Sequence, residues 1–178
     1  MKKSVYESQV KKALEYYDKA GIILNEEEKS KIEVADFGMG IVENVGLQLL
    51  TYINTERVCA KEMVLLPHQT CPEHMHVPTG GQLGKEETFR CRYGKVYLYV
   101  SGEGQRESIK ACLPATEVSV FREVVLNPGD QYTIMPQTLH WFQAGEDGAV
   151  ISEFSTHSTD ETDVFTDKNV VRATVIDD

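Results

Sequence analysis

The sequence predicts a mainly β protein, a jelly-roll barrel with helices only at its N-terminal end, and three observations predict it. All six prolines lie at or after Pro67, and helical spacing is confined to the residues before it. From about Val45 the chain breaks into short runs rich in β-branched and aromatic residues. Turn chemistry separates those runs, and many short strands at such spacing belong to a sandwich or barrel.

The N-terminal part reads as two helices. Ser4 with Glu7 has the pattern of a capping box, and Val10, Ala13, Leu14 and Tyr17 keep the spacing of one helix face. Gly21 is a natural stop. Asn25 with Glu28 repeats the capping pattern, and Ile32, Ala35 and Phe37 extend a second short helix to Gly38. Strands then follow in LQLLTYIN, KEMVLLP, TFRCRY, KVYLYV, VSVFREVVL, QYTIMP and GAVISEF. They are punctuated by turns at Tyr93-Gly94-Lys95, Gly102-Glu103-Gly104, Asn127-Pro128-Gly129-Asp130 and Gly145-Glu146-Asp147-Gly148. The expectation is one domain over residues 1–178, with a helical segment at 1–40 and the barrel with its C-terminal tail at 45–178.

Charge and cysteines narrow the function. The net charge of −10 disfavours nucleic acid and anionic membrane as partners, because both need a clustered basic surface. Cys59, Cys71, Cys91 and Cys112 include no C-x-x-C pair, so zinc ribbons and redox motifs are not suggested. The N-terminus lacks an apolar signal-peptide core, and no run is long enough for a membrane span. A cytoplasmic protein with free thiols is expected.

The stretch Cys71-Pro72-Glu73-His74-Met75-His76 carries the first chemistry. In an extended strand residues i and i+2 share a face, so His74 and His76 can offer two imidazoles to one ion. Alone, the pair is equally a surface loop with two histidines. Further on, Glu87 precedes Gly94 by six intervening residues, and Pro128-Gly129-Asp130 leads to Pro136 and, four residues later, His140.

These runs resemble the two signature motifs of the cupin superfamily, which implies a cupin-type jelly-roll β-barrel. The resemblance also implies one divalent metal held by His74, His76, Glu87 and His140. Two departures stand out. Ten residues, 77–86, separate His76 from Glu87, far more than the general pattern has. Thr138 replaces the usual glycine, and the Pro136-to-His140 spacing is one shorter. The long gap leaves Glu86 as a rival to Glu87, which is preferred for its spacing to Gly94. Three imidazoles and a carboxylate suit Mn, Fe, Co, Ni or Zn better than calcium.

Longer stretches resemble the D-lyxose isomerase family. They are VGLQLLTYINTERVCAKEMVLLPHQTCPEHMH, GKEETFRCRYGKVYLYV and PGDQYTIMPQTLHWFQAGEDGAVISEFSTHSTDETDVFTD, and they include the ten-residue gap. This resemblance implies a metal-dependent aldose–ketose isomerase acting on free sugars, D-lyxose to D-xylulose and D-mannose to D-fructose, with Mn2+ as cofactor. The wider cupin resemblance implies a homodimer. The chemistry moves a proton between C1 and C2, so a base is needed. Glu153, ending the apolar run AVISE, is one candidate, against a solvent-facing residue in period-two alternation. Lys85, two residues before Glu87, is the other, against a solvated lysine in a Gly-rich loop. Asp163 is a candidate for binding substrate, against a solvated acidic run at 160–163.

Trp141, next to His140, should point away from the ion. Tyr97 and Tyr99 read as packing residues, and His68 and His157 as ordinary surface. Three other functions use similar residues: an iron dioxygenase, a sugar-binding module without turnover, and a phosphosugar isomerase. Arg90 and Arg92 could serve the last, but the acidic run argues against a phosphate.

Overall fold

A computed structural model describes residues 1–81 and 83–177. In chain order it comprises α1 (Lys3–Lys19), α2 (Glu26–Lys29), β1 (Glu33–Ala35), β2 (Leu47–Asn54), β3 (Cys59–Leu65), β4 (Thr70–Met75), β5 (Glu87–Val100), β6 (Arg122–Leu126), β7 (Gln131–Ile134), β8 (His140–Ser155) and β9 (Val164–Phe165). Short 3-10 turns lie at Arg106–Ser108 and Asp160–Thr162. The mainly β expectation holds, and the strands form one curled antiparallel sheet.

The two longest strands organise it. β5 pairs with β8 along its whole length, from Glu87↔Ser155 to Val100↔His140. On its other edge β8 meets β3 through Ala149–Ser155 and β4 through His140–Gln143. β5 likewise takes β7 at Glu87–Arg90 and β6 at Val96–Val100. One strand that serves two partners along one edge must bend, and the bending curls the sheet into a half-barrel.

Alternation then divides the side chains. Leu47 and Leu49, Met63 and Leu65, Phe89 and Cys91, Phe142 and Ala144, and Ala149 and Ile151 form the inner core. The opposite face carries Leu50, Val64 and Val150, covered by Ala13, Tyr16 and Tyr17 of α1. At the far end Trp141 stacks on Tyr99 at 4.1 Å, outside the barrel as its place beside His140 implies. Its Nε1 donates to Val120 O at 2.8 Å.

Five sequence expectations change. The Ser4–Glu7 capping box is absent: the helix starts one residue earlier, and the Lys3 N–H is satisfied by Asp177 O at 3.0 Å. The Asn25–Glu28 box is present, but its helix lasts one turn. Residues 33–35 form β1 instead, paired with β2 at Val34↔Gln48, because a free sheet edge satisfies their backbone groups. TFRCRY and KVYLYV are one strand. Gly94 (φ +71) still pairs with Ala149, the register breaks in a bulge just after it, and a Cβ at Gly94 would lie 2.0 Å from Gly148 O. Opposite that bulge, residues 145–148 swell out within β8 rather than ending it. VSVFREVVL becomes a strand only from Arg122.

The packing at this end has a pH signature. The Glu123 carboxylate accepts from Tyr99 Oη (2.8 Å), Lys110 N (2.9 Å) and Lys110 Nζ (2.7 Å). Burial alone would raise its pKa, but these donors outweigh burial and hold it below the ordinary carboxylate range. A depressed folded pKa adds stability above the unfolded pKa that disappears as pH falls through the folded one. Glu123→Gln should therefore lose about 1 kcal/mol at pH 7, tempered by partial exposure, and less at pH 3. Urea unfolding at both pH values measures it, and an equal loss at both would rule out the ionised network.

Candidate metal centre and cavity

The polar residues of the barrel interior sit at the ends of its apolar rows. Lys61 continues the Met63–Leu65 row, Glu87 the Phe89–Cys91 row, His140 the Phe142–Ala144 row and Glu153 the Ile151–Ala149 row. Period two along each row therefore turns all four side chains inward.

β4 joins them through a bulge. Cys71 pairs with Phe142 but His74 pairs with His140, so one extra residue lies between them. The bulge falls at Pro72-Glu73, where proline has no N–H to lose. It shifts the parity of the strand, so His74 and His76 face the side that Cys71 faces. Glu73 is thrown to the other side and fully buried. Its carboxylate accepts from Ser119 N and Oγ, Val120 N and Thr166 Oγ1 at 2.6–3.0 Å, which ties down the segment after β9.

The three imidazoles converge. Ring centroids of His74 and His140 are 4.2 Å apart, those of His74 and His76 5.0 Å, and those of His76 and His140 5.2 Å. Each Nδ1 has a partner that can only accept: Pro72 O at 2.8 Å for His74, Thr138 O at 2.9 Å for His140, and Asp163 Oδ1 at 2.6 Å for His76. The proton is thereby held on Nδ1, and each Nε2 keeps a lone pair for the interior. Ligating nitrogens of all three histidines lie within 4.8 Å of one another.

Glu87 completes the cluster, with Oε1 3.1 Å from His76 Nε2 and 3.0 Å from His140 Nε2. The second contact is close but out of line, so the fully buried His140 Nε2 makes no hydrogen bond among the described residues. An orphaned buried nitrogen beside a carboxylate and two more imidazoles fits a divalent cation. The pKa directions agree. Burial holds His74 well below the ordinary range, reinforced by its two histidine neighbours. Burial also disfavours protonated His76, but the Glu87 and Asp163 carboxylates outweigh it and raise His76 to about 9. These carboxylates want a positive charge between them, which a cation supplies as well as a proton does.

Beside this cluster lies a buried network of lysines and acids. Lys85 Nζ contacts Glu87 Oε2 (2.8 Å), Glu153 Oε1 (3.1 Å) and Asp160 Oδ1 (3.1 Å). Lys61 Nζ donates to Asp160 Oδ2 (2.5 Å) and Ser158 Oγ (2.9 Å) and stands 3.7 Å from Glu153 Oε1. Burial would lower the pKa of Lys85, but its three carboxylate neighbours outweigh it, so the ammonium stays charged. Lys85 owes its position to Gly84 (φ +98), where a Cβ would lie 2.4 Å from His76 O.

Comparison with known proteins places this geometry. The family model described as D-lyxose isomerase matches residues 17–178. A D-lyxose/D-mannose isomerase of Thermosediminibacter oceani is 57% identical over 182 residues, covering 100% of this chain and 99% of the relative. The chain belongs to the D-lyxose isomerase family. A second relative, the D-lyxose ketol-isomerase of Cohnella laeviribosi, is 58% identical over 92% of this chain and 91% of its own. Among solved structures, the L-ribose isomerase of Geodermatophilus obscurus superposes with a TM-score of 0.76 at 16% identity, covering 99% and 98% of the two chains. That likeness shows the shared cupin-like fold.

In this member of the D-lyxose isomerase family the structure brings His74, His76, Lys85, Glu87, Glu153 and Asp163 to the lining of one cavity, with His140 against it in the histidine cluster, and its apolar walls include Phe89, Phe142 and Phe165. Glu86, the rival to Glu87, is exposed. Asp163 lines the cavity, yet its carboxylate is engaged behind His76. His68 and His157 are exposed, as expected.

Three cavity residues were not singled out from the sequence. Lys61 carried a readable signal, being an ionisable residue in an apolar strand as Glu153 is. Asp160 lay in the acidic run read as solvated surface, and a 3-10 turn aims it inward. Arg172 had no signal: it arrives because the tail folds back, Val171 N donating to Phe37 O at 2.9 Å.

Proposed function

We propose that this chain is a metal-dependent aldose–ketose isomerase acting on free sugars, converting D-lyxose to D-xylulose and D-mannose to D-fructose. The observation that carries the reading is a potential base, Glu153, buried in the same cavity as a three-histidine, one-carboxylate cluster. The names and 57–58% identities of the two relatives support the substrate class.

In this reading His74, His76, Glu87 and His140 hold the ion. When bound, a divalent cation would supply Lewis-acid stabilisation of negative charge developing on the sugar. Glu153 takes the proton from C2 of the aldose and delivers it to C1. The hydroxyl proton at O2 moves to O1 in the same conversion, passed between the two oxygens by Lys85, which Glu87 anchors, and Asp163 orients His76 at the edge of the sugar site. Glu153 is nearly inaccessible to water, which keeps the transferred proton from being lost to solvent.

Manganese is the proposed ion, because the mixed nitrogen and oxygen donors suit it. The reading takes residues 1–178 as one domain working as a homodimer in the cytoplasm. Its four free cysteines suit a reducing compartment, and no described helix is long and apolar enough to cross a membrane.

The test is to strip the metal, restore Mn, Co, Ni and Zn singly, and assay D-lyxose, D-mannose and D-xylulose. Turnover with manganese supports the reading. If no sugar turns over with any ion, the assignment fails.

A further inference from the structure

The cavity beside the histidines encloses only about 30 Å³. That is room for about two waters, far less than a sugar needs. Two larger clefts flank it. One, of about 700 Å³, lies between β1, β2, the Asp160–Thr162 turn and the C-terminal tail. The other, of about 570 Å³, lies over the 79–86 loop. Leu49, Lys61, Asp160 and Arg172 line both the inner cavity and the first cleft, whereas only Lys85 is shared with the second. Lys85 is fixed by three carboxylates and plugs its side.

The first side is held more loosely. Arg172 comes from a segment without helix or strand. Its Nη1 donates to Glu33 Oε1 at 2.5 Å, but its Nη2 stands 3.7 Å from Asp160 Oδ2, beyond hydrogen-bond distance. A guanidinium has five donors, and this is its one hydrogen bond among the described residues. The charged lining of the cleft is Glu33, Lys61, Asp160, Glu161 and Arg172, two positive against three negative. Such a surface suits the hydroxyls of a neutral polyol and not a phosphate.

We propose that the passage walled by Leu49, Lys61, Asp160 and Arg172 admits the sugar and holds its end remote from C1, and that Arg172 sets the preference between five- and six-carbon sugars. The proposal rests on the isomerase reading above. With C1 and C2 placed between the histidine cluster and Glu153, the rest of the chain extends toward the cleft continuous with that space. D-Lyxose and D-mannose have the same configuration from C2 to C4, and the hexose adds its extra carbon at the far end. Arg172, at the outer rim of the passage, is the donor that meets it. Contacts to a non-reacting part of the substrate change KM more than kcat.

The experiment measures kcat and KM for D-lyxose and D-mannose with the wild-type holoenzyme, Arg172→Gln and Arg172→Lys. The ratio of the two kcat/KM values, taken on one preparation, cancels any loss of folded or metal-loaded protein. Arg172→Gln should shift that ratio by about fivefold or more, mainly through KM, with Arg172→Lys between it and wild type. Arg57→Trp, which fills the mouth of the second cleft, should leave both sugars unaffected. An unchanged ratio in Arg172→Gln, with the wild type active on both sugars, overturns this proposal and leaves the isomerase reading standing. Loss of activity in Arg57→Trp overturns it equally, by placing the way in on the other side. A wild type inactive on every sugar removes both.

Discussion

His140→Ala should abolish turnover, by about 10³-fold or more, and reduce bound metal to near zero. The side chain is completely buried, its Nδ1 is fixed by Thr138 O, and its Nε2 has no hydrogen bond among the described residues. The Nε2 thus serves no hydrogen bond of the ion-free protein. Stability gives an independent reading. An ion at about a thousand times its dissociation constant stabilises the folded chain by about 4 kcal/mol. Unfolding with and without chelator should show a large gap for the wild type and almost none for the variant. Packing lost with the ring appears under both conditions and cancels in that comparison. Metal content and activity both close to wild type would remove His140 from the centre.

Glu153→Gln should lower kcat by about 10²–10⁴-fold while metal content and KM stay near wild type. The amide has nearly the same shape and its oxygen can still accept from Lys85, but it cannot take a proton. The fold should tolerate the change. Around this side chain two ammonium groups, Lys61 and Lys85, face three carboxylates, Glu87, Glu153 and Asp160. Neutralising one carboxylate leaves two of each sign, so no buried lysine loses all its partners. Steady-state kinetics beside metal analysis decides the matter. Activity within a few-fold of wild type would move the base elsewhere, Lys85 being the next residue to test.

Most strands were legible because one-sided burial writes a period of two into the sequence. LQLLTYIN coincides with β2, and the rows through Met63, Phe89 and Ile151 lie where alternation puts them. The errors share a cause. Ile32, Ala35 and Phe37 fit a helix by spacing, yet residues 33–35 became a strand because β2 offered an edge. Tyr93-Gly94-Lys95 has turn chemistry, yet it sits in a continuous strand because β8 pairs on both sides of it. Local pattern states what a segment can do, and its partners decide among the possibilities.

The site divides in the same way. His74, His76, Glu87 and His140 were nameable from motif and resemblance, and Glu153 from an ionisable group placed in an apolar run. Each depends only on which face of its own strand a residue occupies, a property fixed within a few residues. The bulge that lets Cys71 and His74 both face inward, the pairing of Lys61 with Asp160, and Arg172 at the mouth of the cavity required the tertiary structure. Lys61 and Asp160 are 99 residues apart, and they meet because the curled sheet and the segment after β8 bring them together. The sequence alone determined the fold class and, with the family resemblance, the residues of the candidate metal cluster. Long-range packing determined which charges surround the cavity and which cleft adjoins it.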